Sequence, residues 1–184
     1  SPVLAAERGL VFDYGATPAV SSYGEAAAFS ELARERGKVL GVHIKLDTGM
    51  GRAGIWHERA VGEIRKILAL GGIKVTGIFS HLSSADEDEE YTRGQFDIFR
   101  RTVSHFDLSD MLVHLHNSAA LRCVKVEPPF NAVRMGLLQY GINPFSSGEY
   151  AGIRLESVLS FKSRVLAVST RGARRIATVA AGYA

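Results

Sequence analysis

The hydrophobic period of this chain switches repeatedly between about 3.6 and about 2 residues, and that alternation narrows the available folds more than any single motif does. Residues 22–36 carry a helical stripe of Ala26, Phe29, Leu32 and Ala33. Val61, Ile64, Ile67 and Leu68 make a second stripe, and Phe96, Phe99, Val103 and Phe106 a third. Between them lie short β-branched runs at residues 39–45, 73–79, 111–115 and 132–135, with an earlier strand ending at 18–21. Strands that alternate with single helices imply βαβ units and a parallel sheet. From about Glu156 the pattern changes. Residues 157–170 and 175–183 read as two strands with no helix between them, joined by a turn containing Gly172. The expected organisation is therefore an α/β domain over residues 1–153 and the start of a β-rich domain over residues 154–184.

With 184 residues, 46% of them apolar, the chain can bury a sizeable core. Its 22 basic and 19 acidic side chains leave a formal net charge of +3. The bases are scattered apart from pairs such as Arg100-Arg101, whereas nucleic-acid binders concentrate them on one face. No nucleic-acid partner is expected. Cys123 is the only cysteine, so no intrachain disulfide can form, and a buried structural thiol in a reducing compartment is the expectation. No stretch approaches the roughly 20 apolar residues of a membrane helix. A cytoplasmic location without a membrane partner follows as the expectation. The chain opens at Ser1-Pro2 and closes within an apolar run, so both ends read as boundaries cut within a longer protein.

Chemistry gathers at strand ends. Lys45 and Asp47 close one strand, His81 the next, Asn117 and Ser118 the third, Arg134 and Gly136 the fourth. The carboxyl ends of parallel strands are where barrels and open α/β sheets place their sites. Three local patterns need weighing. Gly49-Met-Gly51-Arg-Ala-Gly54 matches the dinucleotide fingerprint, but Lys45, Asp47 and Thr48 intervene, and the next strand ends in Ser80-His81 instead of an acid. A tight strand-to-helix loop accounts for these glycines. His114 and His116 stand two apart, so on a strand both would project from one face. Together with His81 and Lys45 they suggest a barrel metal hydrolase, which Arg134 opposes because a permanent cation repels a nearby dication. No metal site is assigned. The run Asp86-Glu-Asp-Glu-Glu90 precedes a helix, where acids favour the positive end of the dipole.

Taken in order, the strand-end segments carry a resemblance. His43-Ile-Lys45-Leu-Asp47-Thr-Gly49-Met-Gly51-Arg52-Ala-Gly54 resembles the signature segment of the alanine racemase family. So do Phe79-Ser-His81-Leu-Ser-Ser-Ala-Asp86, His114-Leu-His116-Asn117-Ser118-Ala, and Arg134-Met-Gly136 with Tyr140-Gly141. Ala181-Gly182-Tyr183-Ala184 resembles the start of the segment that holds the family's catalytic tyrosine. Five motifs occur in family order along nearly the whole chain.

The resemblance implies a partial eight-stranded TIM-type barrel, about its last five βα units, followed by the first strands of a mainly β domain. It implies pyridoxal 5'-phosphate as cofactor. Arg134 would face the pyridine nitrogen, and because an arginine donates without giving up its proton, that nitrogen would stay unprotonated. Asn117, Ser118, Gly136 and Leu137 would surround the phosphate, with Ser118 as a helix N-cap. His81 would bond near the ring oxygen. Arg52 would hold the phenolic oxygen and the substrate carboxylate. Lys45 would be either a carbamylated lysine that positions Arg52 or an unmodified one paired with Asp47. Tyr183 would be one of two bases, assisted by His114 and reaching the partner's site in a homodimer. One base would remove the α-proton and the other return it from the opposite side.

The family's cofactor-anchoring lysine has no counterpart among Lys38, Lys45, Lys66, Lys74, Lys125 and Lys162. By resemblance the intact protein interconverts L- and D-alanine, supplying D-alanine for cell-wall peptidoglycan, while this piece alone is inactive. A serine or broad-specificity racemase, a non-catalytic pyridoxal-phosphate carrier and the metal hydrolase are the alternatives.

Overall fold

The computed structural model describes residues 2–145, 150 and 152–182. A short helix α1 (Arg8–Asp13) leads to β1 (Ala19–Val20), α2 (Tyr23–Glu35) and β2 (Leu40–Asp47). Then follow β3 (Ile55–Trp56), α3 (His57–Leu68), β4 (Ile73–Phe79), α4 (Glu89–Val103), β5 (Leu112–His114) and α5 (Ala120–Cys123). The strands run parallel in the order β1-β2-β4-β5, with β3 on the end of β2. The expected alternation of strand and helix is thus the architecture seen.

Helix starts follow local chemistry. Ser22 caps α2 by accepting from Glu25 N, while the Glu25 carboxylate takes Ser21 N, a reciprocal pair that satisfies two otherwise orphaned amides. Asp88 caps α4 by accepting from Tyr91 N, with Glu89 and Glu90 in the first turn. The acidic run therefore serves the start of a helix, as its position suggested.

Strand pleating divides the residues between two faces. Along β2, Val42, Ile44 and Leu46 are fully buried and belong to one core with Phe29, Ala33, Ile64 and Ile67 of the flanking helices. The intervening His43, Lys45 and Asp47 face the other way. An irregularity between Val42 and His43 resets the register so that His43 lies opposite Gly77 and Lys45 opposite Phe79, and Phe79 in turn pairs with His114. Three strands therefore present a single row of chemically active side chains.

Two expected strands are shorter than the sequence pattern suggested. Residues 132–135 form no ladder, only a parallel bridge between His114 and Ala132. The reason is Asn131, whose side-chain oxygen takes Val113 N and whose amide donates to Met111 O, occupying groups that a further strand would pair. The second sheet is a hairpin of β6 (Val165–Arg171) and β7 (Arg174–Val179), turning at Gly172 with φ 60°. Its first strand begins at Val165 instead of 157, because residues 156–158 lie against the turn at 140–141. Val158 N donates to Tyr140 O there, and a side chain on Gly141, whose φ is 70°, would collide with Glu156 O. Among the described residues, no helix is long and apolar enough to cross a membrane.

Candidate active site

Arg134 organises the ends of the strands. Its Nη1 donates to His114 Nδ1 at 2.7 Å and to His114 O at 3.0 Å. Its Nη2 donates to Ser80 O at 2.7 Å and lies 3.4 Å from His81 Nδ1. The guanidinium also rests on the Phe79 ring, 5.1 Å from its centroid, an arrangement favourable to a cation. Burial draws Arg134 down to about 10, so it remains cationic at neutral pH.

A cavity of about 420 Å3 opens beside this guanidinium, within the size range of small-molecule sites, roughly 300–1,000 Å3. Its walls include His81, Asp86, Asn117, Ser118, Arg134, Gly136 and Leu137. His81 and Arg134, expected to share a site, do so. Gln95 fixes the approach to it. Its amide nitrogen donates to Thr48 Oγ1 and His81 O, and its oxygen takes Ser83 N.

Lys45 and Arg52 flank the cavity without lining it. Asp47 Oδ1 accepts from Gly49 N and Gly51 N, and Tyr91 Oη donates to Gly49 O. These bonds fold the glycine-rich loop back so that the exposed Arg52 comes near the strand ends. Gly54, at φ 128°, must be a glycine because a Cβ there would lie 2.6 Å from the Leu46 backbone. Burial, then Arg52 and Arg134, push the Lys45 amine down, opposed by Asp47. Of the two alternatives for Lys45, the ion pair with Asp47 does not form: no such pair lies within 4 Å among the described residues, because the Asp47 carboxylate is committed to the loop amides.

Ser118 differs from its expected role. Helix α5 starts at Ala120, its N-cap is Ala119, and Asn117 Oδ1 takes the Ala120 amide. Ser118 Oγ instead accepts from Gly136 N at 2.9 Å and Leu138 N at 3.4 Å. This leaves the hydroxyl hydrogen as the group Ser118 can donate to a ligand.

The two histidines of β5 and its exit also part company. His114 stacks on Phe79 and lies 3.2 Å from His43. His116, past the end of β5, packs edge-on to Phe96 and Phe130. They do not share a face, which removes the pair that suggested a metal hydrolase. Among the described residues no three His, Cys, Asp or Glu side chains converge. Both ring nitrogens of His114 are engaged, one by Arg134 and one by His43, so neither is left for the phenol it was expected to assist. Burial, then Arg134 and His43, hold His114 down to about 4. His81, lowered by burial and by Arg134, Arg52 and Lys45, is the imidazole at the cavity wall. Tyr183 lies outside the described residues.

The sequence reading gave no role to His43, Gly77, Phe79 or Tyr150, whose buried hydroxyl donates to Ser118 O. The alternation His43-Ile-Lys45 was the available signal, since it puts His43 on the face of Lys45.

Fold and site together define a parallel α/β protein with a cavity walled by Arg134 at the carboxyl ends of its strands. Residues 2–144 match the family described as alanine racemase, N-terminal domain. The alanine racemase of Halothermothrix orenii is 33% identical over 201 residues, covering 99% of this chain and 52% of its own. That of Thermodesulfovibrio yellowstonii is 41% identical over 133 residues, covering 71% and 36%. Among solved structures, the alanine racemase of Clostridium difficile in complex with cycloserine superposes with TM-score 0.77 at 27% identity, covering 97% of this chain and 50% of the other. The Corynebacterium glutamicum enzyme gives 0.74 at 29%, covering 100% and 51%. The chain belongs to the alanine racemase family. It carries part of the barrel and spans about half the length of these relatives.

Proposed function

We propose that the full-length protein carrying this chain is a pyridoxal-phosphate-dependent amino-acid racemase that interconverts L- and D-alanine as a homodimer. Its physiological product is D-alanine for the cell wall. The observation that carries the reading is the seating of Arg134. A donor-only guanidinium, fixed by the ends of two strands, forms one wall of a cavity whose other walls include Ser118 and Gly136.

The residues present fit the cofactor. Its pyridine nitrogen is an acceptor and its phosphate an anion, and the cavity offers a permanent cationic donor in Arg134 and a serine hydroxyl in Ser118, with the exposed Arg52 beside it. When bound, pyridoxal phosphate supplies an electron sink that acidifies the substrate α-carbon. Arg134 holds the ring nitrogen by donation without protonating it. Ser118, Asn117, Gly136 and Leu137 hold the phosphate, and Arg52 holds the phenolic oxygen and the substrate carboxylate. Tyr183 carries the α-proton on one side. The anchoring lysine lies outside the six of this chain. Lys45, whose amine is shifted toward neutrality, attacks the carbon of dissolved CO2 and releases one proton, leaving a carbamate that orients Arg52.

The test uses the full-length protein. Bound cofactor gives an absorption band near roughly 420 nm, and a chiral assay should show D-alanine forming at about 1 per second or faster. Tyr183→Phe should abolish turnover while keeping the band. Stoichiometric metal without the band would overturn the proposal, and faster turnover of serine than of alanine would correct its substrate.

A further inference from the structure

Gly77 is an unusual residue for the middle of a central strand, where glycine weakens packing and often marks a close approach. No positive φ explains it. The explanation is steric: a Cβ at residue 77 would lie 2.6–2.7 Å from three atoms of the His43 ring. The absent side chain lets His43, on β2, lie across β4 and reach His114 on β5. Neither His43 nor Gly77 touches the cavity.

The direction of the resulting hydrogen-bond chain follows from donor chemistry alone. An arginine has donors and no acceptor. With Arg134 Nη1 at 2.7 Å, His114 Nδ1 must be the unprotonated nitrogen. A neutral imidazole carries its single hydrogen on the other nitrogen, so His114 Nε2 is the donor toward His43. At 3.2 Å, His43 Nδ1 must then accept. The order Arg134 to His114 to His43 admits one tautomer at each ring. Reversing either ring would bring two N–H groups face to face.

We propose that His43 is a positioning residue that locks His114 in the Nε2–H tautomer and thereby holds Arg134 in the candidate active site. Without it, the His114 N–H would face a buried space with no acceptor. A ring rotation or the opposite tautomer would then compete, and each removes the acceptor from Arg134. The consequence for racemisation rests on the function proposed above. The tautomer itself does not.

The experiment therefore begins with the full-length protein, 15N-labelled at histidine and free of added cofactor. Nitrogen chemical shifts should show His114 with Nδ1 unprotonated and Nε2 protonated, with a coupling across the hydrogen bond to His43 Nδ1. His43→Leu should lose the coupling and give mixed His114 tautomers. His43→Gln, whose amide oxygen can accept, should restore a single tautomer. Gly77→Ala, which displaces the His43 ring without altering His114 or Arg134, should reproduce His43→Leu. In the cofactor-loaded protein, His43→Leu should lower kcat about tenfold with KM nearly unchanged, and His43→Gln should recover most of it. A protonated Nδ1 on wild-type His114, or a single unchanged tautomer in His43→Leu, overturns the assignment. If His43→Leu does not fold, His43→Gln decides: loss of the His114 tautomer despite an acceptor in place overturns it equally. Absent racemisation in the wild type would count against the proposed function alone, with the nitrogen shifts still deciding the role of His43.

Discussion

His114 makes the stability of this fold sensitive to acid. The ring is held down to about 4 when folded, by burial first and then by Arg134 and His43, from an ordinary value of 6.5. A group with a depressed basic pKa binds its proton more tightly in the unfolded chain, so acid favours unfolding. The contribution is complete above about 6.5 and is lost as pH falls from there toward 4. Between pH 7 and pH 4 this one ring should remove about 3 kcal/mol of stability. His114→Phe, which can keep the stack on Phe79, removes the titration. The variant will be less stable at pH 7, because Arg134 loses an acceptor, but its pH dependence over that window should be shallower by about the same 3 kcal/mol. Denaturant unfolding of the full-length protein at several pH values gives the slopes, and NMR titration of the ring gives its pKa. Equal slopes in wild type and variant, or a ring titrating near 6.5, would falsify the reasoning.

Asp47→Ala should release the Gly49 and Gly51 amides, costing about 2 kcal/mol and accelerating hydrogen exchange over residues 48–54; unchanged exchange would show that the loop holds without its latch. In 13CO2-equilibrated buffer the full-length protein should show a carbamate carbon signal that Lys45→Arg abolishes, and a signal that persists in the variant would place the modification elsewhere. The 184-residue chain by itself, supplied with pyridoxal phosphate and L-alanine, should produce no D-alanine in a chiral assay, since the anchoring lysine is not among its six. Turnover near that of an ordinary enzyme would mean the machinery has been misplaced.

Much of the architecture was legible because it rests on periodicity. The stripes of Phe29 and Ala33, of Ile64 and Ile67, and of Phe96 and Phe99 are buried as their spacing implied. Order along the chain also brought His81, Asn117 and Ser118 to one cavity, since each follows a strand, and Arg134 and Gly136 reach it from the segment bridged to β5 at Ala132. What the pattern could not convey was competition for hydrogen bonds. Asn131 reads as an ordinary polar residue, yet its amide takes the positions of a strand ladder and reduces residues 132–135 to one bridge. Ser118 has the composition of a cap, but the amides within its reach belong to Gly136 and Leu138, not to α5. The spacing of His114 and His116 assumes that the strand continues, and it stops at His114. His43 was invisible for a different reason: its importance depends on a missing side chain at a position 34 residues away, which no local window contains.

The guanidinium of Arg134 has a consequence for the order of events in folding. Its bonds reach Ser80 and His114, 54 and 20 residues back along the chain, and its own backbone is tied to His116 O. None of those acceptors is in place until β4 and β5 have paired, and closing such loops carries an entropy that local contacts do not repay. The cavity wall is therefore a late product of folding, and partly folded chains lack it. A ligand that binds there would select the finished chain and add its binding free energy only to that state.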